Sequence, residues 1–221
     1  MAKFEGYERR EAKILACLKE YGISSIDECK EICDAKGIDP YTIVQETQPI
    51  CFENAKWAYT VGSAIALKEA GADGIMMAEP VSGLLSPMLE EEFSAPYVKQ
   101  IVDAVQDDEF IVIYHNCGGA VLRLIDPIVS CGAAAYHFGN AIDIKAALEK
   151  MPADVVVMGN IDPVGQLTEG TAEGVYAATK ALLEQCSVHK NFVISSGCDI
   201  PPLAQWENID AFFGAVEDFY R

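Results

Sequence analysis

The chain has 221 residues, 51% apolar, 9% aromatic and 23% charged, which is enough to bury a substantial core in one domain or slightly more. Lys and Arg number 16 against 34 Asp and Glu, a formal net charge of -18. A nucleic-acid backbone or an anionic lipid surface repels such a chain, so neither is an expected partner. The sequence holds no apolar run long enough to span a bilayer, and its start, MAKFEGYERREAK, is too charged for a signal peptide. A cytoplasmic protein is therefore expected. In that setting the eight cysteines read as reduced thiols and not as a disulfide framework.

The first part of the chain has helical periodicity. Residues 8–21, ERREAKILACLKEY, place Ile14, Leu15 and Leu18 on one side and stop at Gly22. Ser25 opens a second helix as the cap of an S-x-x-E box with Glu28, and Gly37 closes it. Cys29 and Cys33 lie one turn apart there and share a face with Ile26, which favours core packing over metal or redox chemistry. A third helical pattern runs through NAKWAYTVGSAIALKEAG, residues 54–71. Residues 1–70 hold 9 basic and 12 acidic side chains, whereas 71–221 hold 7 and 22. The expected division is a helical segment over 1–65 and an α/β domain over 66–221.

Beyond residue 72 short apolar runs alternate with amphipathic helices, the pattern of a parallel sheet built from βα units. The runs are DGIMMA from Asp73, FIVIYH from Phe110, AAYHF from Ala134, DVVVMG from Asp154 and FVISSG from Phe192. Helix starts stand between them: Ser86 before Pro87 with Glu90 to Glu92, Asp143 before IKAALEK, and Thr171 before Glu173.

In parallel α/β folds the loops after the strands form the functional face. Those positions carry Glu79, then His115 with Cys117, then His137, then Asn160 with Asp162, then Cys198 with Asp199. In extended backbone His115 and Cys117, two apart, project to one side. With Cys198 as third donor they make a set suited to zinc, which accepts mixed nitrogen and sulfur ligands. Gly118, Gly119 and Gly197 beside them remove side chains and let backbone or substrate approach. The alternative is that His115 is a hydrogen-bonded core histidine and the two cysteines are apolar filler. His137 reads as a structural mid-strand residue or as one lining the pocket, and His189 as a solvated turn residue. Cys17, Cys51, Cys131 and Cys186 fall in helical patterns and are expected to pack. Neither a dinucleotide nor a P-loop motif occurs, and there is no nucleophile elbow.

The succession GADGIMMAEPVSGLLSP, EEFSAPYVKQIVDAV, IYHNCGG, NAIDIKAALEK, VVVMGNIDPVGQL and ISSGCDIPPLAQWENIDAFFGAV resembles the carboxyl-terminal part of the uroporphyrinogen decarboxylase superfamily over residues 54–221. Within it the resemblance is to the corrinoid-dependent methyltransferase branch that includes methylcobamide:coenzyme M methyltransferase. It implies a (β/α) barrel of TIM type, here partial at about five βα units, preceded by the helical segment. It also implies a zinc ion on His115, Cys117 and Cys198, a methylcobamide carried by a corrinoid protein partner, and a small thiol such as coenzyme M as methyl acceptor. Glu79 is then a fourth ligand at rest or a catalytic base, or else a polar loop carboxylate beside Pro80. Decarboxylases of the superfamily typically carry histidine where Cys198 stands and lack the H-x-C pair. Residues 1–65, in YERREAKILACLKEYGISSIDECKEICDAKGIDPYTIVQETQPICFENAKWAYTVGSAIA, resemble the start of the GGGtGRT family.

Five strands without closure leave two sheet edges to be covered, by the helical segment or by a second copy of the chain. Two other functions stay open. One is a non-catalytic half-barrel interaction module. The other is decarboxylation of an acidic tetrapyrrole, which the scarcity of arginine disfavours, since Arg123 alone stands in the middle of the chain.

Overall fold

The computed structural model describes residues 61–221, and Leu67–Arg221 form one unit, distinct from Met1–Ala66. The helices expected over 8–21 and 25–37, with Cys17, Cys29, Cys33 and Cys51, lie outside the described residues. Of the third expected helix, residues 61–69 are described and are helical.

Each expected apolar run marks one strand, β1 (Gly74–Ala78), β2 (Ile111–Asn116), β3 (Ala135–Phe138), β4 (Val156–Ile161) and β5 (Phe192–Ser196), with β2 extending to Asn116 and β4 to Ile161 beyond the runs. All pair in parallel, in the order β1-β2-β3-β4-β5. Between them lie α1 (Pro87–Phe93), α2 (Ala95–Val105), α3 (Ile125–Val129), α4 (Ile144–Leu148) and α5 (Ala172–Cys186), and α6 (Trp206–Tyr220) follows β5. The order answers what periodicity leaves open. A doubly wound sheet reverses direction at a switch point, whereas strands laid down always toward the same edge, with right-handed connections, put every helix on one face. This is the wall of a (β/α) barrel.

Burial agrees with that construction. On the helix-covered face Val112, Tyr114, Tyr136, Phe138 and Val157 are all within 1% of complete burial. The opposite face, which lines the inside of a closed barrel, leaves Met76 53%, Ile111 41% and Val193 44% exposed. Strands β2 and β3 are rich in β-branched and aromatic residues, which fill the pleated surface under α2 and α3.

The cap residues act as the sequence implies. Ser86 accepts from the Leu89 N–H at 3.3 Å, Asp143 from Lys145 at 3.0 Å and Thr171 from Gly174 at 3.2 Å, each satisfying an otherwise unpaired donor of the first turn. The stretch EEFSAPYVKQIVDAV holds two helices, because Pro96 has no N–H to continue α1 and the backbone turns at Ser94. Gln106, just past α2, accepts from the Val112 and Ala134 N–H groups at 3.1 and 2.9 Å and donates to the Gly132 carbonyl at 2.9 Å, which aligns the starts of β2 and β3. At the far end of the sheet Ile161, Leu167 and Val175 are buried against Ala178, Leu182, Ile194, Ala211 and Phe212 from α5, β5 and α6. No helix among the described residues is long and apolar enough to cross a membrane.

Candidate metal centre

The register of the sheet sets the depth of each polar side chain. Ala78, His115 and His137 occupy successive positions of one row across β1, β2 and β3. His115 therefore points to the inner face, and Cys117, two residues later, follows it past the strand end. Asn116 points the other way and anchors the turn. Its Nδ2 donates to Ser82 Oγ and Tyr114 Oη, both at 3.1 Å, while its Oδ1 accepts from the Gly118 N–H at 2.9 Å. On β5 the Gly197 N–H donates to the Ile161 carbonyl at 2.6 Å, and Cys198 comes next.

The result is that one donor atom each from His115, Cys117 and Cys198 lies within 4.8 Å of the other two. Cys198 Sγ stands 3.5 Å from His115 Nε2. Tetrahedral zinc with bonds of about 2.3 Å to sulfur and about 2.0 Å to nitrogen sets those atoms about 3.5 Å apart, so the residues present fit such an ion. Electrostatics favour a cation there as well. Burial first, and then the neighbouring Cys198, push the Cys117 thiol above its ordinary value, because a second negative sulfur close by is costly without a positive charge between them. His115 is 6% exposed, and its burial pushes it below its ordinary value. Its bond to the His137 carbonyl and the charge of Asp199 oppose that shift. A neutral imidazole is the ligand form of histidine.

The neighbouring glycines have a narrower purpose than room for substrate. A Cβ on Gly118 would lie 2.6 Å from Gly83 Cα, and one on Gly197 would lie 2.7 Å from the Asn140 nitrogen. These glycines let the loops above the strands touch, whereas Gly119 has open space beside it. Gly139, not singled out by sequence reasoning, is equally tight: a Cβ there would lie 2.6 Å from Cys117 Cα.

The remaining candidates are placed elsewhere. Glu79 is tied to β2 through its N–H, which donates to the His115 carbonyl at 2.8 Å, and Ser94 Oγ donates to its carboxylate at 3.4 Å. It is outside the three-residue group. Asn160 braces the loop after β3, donating to the Gly139 and Ile142 carbonyls at 3.0 and 2.9 Å. Asp162 accepts from the Val164 and Gly165 N–H groups at 2.9 and 3.0 Å. His189 is half-buried in the turn after α5. Cys131 and Cys186 are buried at 1% and 0% exposure.

Sequence reasoning missed the partner of His115. His137 is 3% exposed, and its Nδ1 lies 2.7 Å from His115 Nδ1. The two rings have centroids 4.7 Å apart. A signal existed, since Tyr-His stands in both IYHN and AYHF and pairing the tyrosines in register pairs the histidines.

Comparison with known proteins gives the same architecture. The uroporphyrinogen decarboxylase (URO-D) family model matches residues 57–219, and the GGGtGRT protein model matches residues 4–89. A methylcobamide:CoM methyltransferase of Methanosarcina mazei is 28% identical, covering 73% of this chain and 46% of its own length. That of Methanosarcina acetivorans is 26% identical over 99% of this chain and 68% of its own. A uroporphyrinogen decarboxylase of a Synechococcus species is 30% identical over 66% of this chain and 41% of its own. A solved methyltransferase structure from Methanosarcina mazei superposes with a TM-score of 0.66 at 23% identity, covering 89% of this chain and 54% of that one. The chain thus spans about half the length of most of these relatives. With the family model matched over more than half of its residues, the chain belongs to the uroporphyrinogen decarboxylase (URO-D) family.

Proposed function

We propose that the chain is a zinc-dependent methyltransferase that moves a methyl group from a methylated corrinoid protein to a small thiol such as coenzyme M. The observation that carries this reading is the convergence of His115, Cys117 and Cys198 on one point at the mouth of the sheet. The similarity to methylcobamide:CoM methyltransferases over most of the chain supports it.

His115, Cys117 and Cys198 would hold the ion and leave one of four positions free. When bound, zinc favours the thiolate form of an incoming thiol at neutral pH, and the partner's corrinoid supplies the methyl group that this sulfur takes up. The chain's own residues fix the geometry. Two thiolates keep the site rich in electrons, the anchored turn at Asn116 holds Cys117, and the backbone bond of Gly197 to Ile161 holds Cys198. Glu79, whose carboxylate accepts from Ser94 Oγ, lies outside the donor group, so the thiol proton is assigned to solvent.

The test is transfer from methylcobalamin to coenzyme M, followed by the change in corrinoid absorbance. The expected result is thiol-dependent demethylation by zinc-loaded chain, reduced at least a hundredfold in Cys198→Ser. Full activity in metal-free protein overturns the proposal. A second reading, a non-catalytic interaction module, draws on the exposed inner face at Met76, Ile111 and Val193. It predicts a folded chain that transfers no methyl group with any zinc content.

A further inference from the structure

We infer that His137 is a positioning residue that fixes which nitrogen of His115 is offered to the metal, through a directional hydrogen-bond chain starting at the Ser196 carbonyl. The inference rests on the metal reading above for its purpose, but its geometry stands on its own.

A carbonyl oxygen can only accept. His137 Nε2 lies 2.8 Å from the Ser196 oxygen, so Nε2 carries the proton and the neutral ring presents a lone pair at Nδ1. That Nδ1 is 2.7 Å from His115 Nδ1, a distance at which one hydrogen must sit between the two nitrogens. It belongs to His115. The backbone carbonyl of His137, 3.2 Å from the same His115 Nδ1, also needs a donor there. His115 is then left with its lone pair on Nε2, the atom that faces Cys198 Sγ at 3.5 Å. Ser195 Oγ, 3.2 Å from His137 Nε2, can accept from the same N–H as the Ser196 carbonyl.

Both carbonyls can only accept, so in the neutral rings the direction of the chain cannot reverse without losing the Ser196 bond. Both rings are buried, so water cannot substitute for a lost partner. The strand end of β5 thus has two tasks: Ser196 orients His115 through His137, and two residues later Cys198 supplies a ligand. Groups outside a metal's ligand set that orient its histidines typically change affinity by about 10- to 100-fold when removed.

Long-range proton–nitrogen correlation spectra of the metal-free full chain read the tautomers directly. The expected result is His115 protonated at Nδ1 and His137 at Nε2; the opposite assignment at either ring overturns the inference. Zinc titration against a chromophoric chelator gives the second readout. His137→Leu is expected to bind zinc about 10- to 100-fold more weakly. His137→Asn, whose side-chain oxygen accepts where Nδ1 did, is expected to recover most of the loss. Wild-type affinity in a folded His137→Leu variant overturns the inference and leaves the metal site intact. If His137→Leu does not fold, the wild-type tautomers decide. Wild-type chain that takes up no zinc removes the metal reading instead, and the tautomers then decide the hydrogen-bond chain alone.

Discussion

Single atoms govern the geometry of the candidate metal centre. Gly139 has no side chain because a Cβ would lie 2.6 Å from Cys117 Cα and 2.7 Å from Cys117 Cβ, and backbone that close cannot rotate away. Gly139→Ala is therefore expected to cost about 1–3 kcal/mol in stability, as overpacked sites do, and to displace a ligand with it. Urea unfolding together with zinc titration checks this. A lower midpoint with weakened zinc binding is expected, and an unchanged zinc affinity contradicts the placement of Cys117. The three ligand candidates were legible in the sequence because H-x-C projects two donors to one side and Cys198 ends a strand. His137 was not, because its importance depends on register, which the sequence shows only in the repeated Tyr-His pair. The tightness at Gly139 was hidden too, since a glycine after a strand looks like any turn glycine.

Among the elements, the packed face of β2 and β3 carries most of the buried aromatic volume. Tyr114 bonds Ser82 Oγ at 2.9 Å, and Tyr136 donates to the Val129 carbonyl at 3.1 Å. Burial is the main force pushing both hydroxyls well above the ordinary tyrosine value of 10.0. With folded values raised, the folded chain keeps protons that the unfolded chain releases. Their contribution is whole below about pH 10 and is lost as the pH rises further. Urea midpoints are expected to fall above pH 10, with a shallower fall in Tyr136→Phe. Identical slopes in the two proteins contradict this origin. Strand positions were readable from the sequence because runs such as FIVIYH and DVVVMG sit between clear caps at Ser86, Asp143 and Thr171. The break between α1 and α2 was less visible, since Ser94 and Pro96 interrupt a pattern that is otherwise continuous.

At the scale of the whole molecule, the sequential strand order decides between a barrel wall and an open doubly wound sheet. Amphipathic periodicity alone could not decide this, because both architectures repeat the same βα unit. Among the described strands β1 and β5 have one neighbour each, whereas β2, β3 and β4 have two. Amide hydrogen exchange should therefore be slowest in β2 to β4 and faster along β1 and β5. Equal protection in all five strands would mean that the outer edges are covered. Most of the functional proposal depends on an imidazole and two thiolates, from His115, Cys117 and Cys198, sharing one ion. Zinc-edge X-ray absorption of the reconstituted 221-residue chain checks this. Two sulfur scatterers at about 2.3 Å and one imidazole nitrogen at about 2.0–2.1 Å are expected, with one further ligand. A first shell of oxygen and nitrogen alone contradicts it.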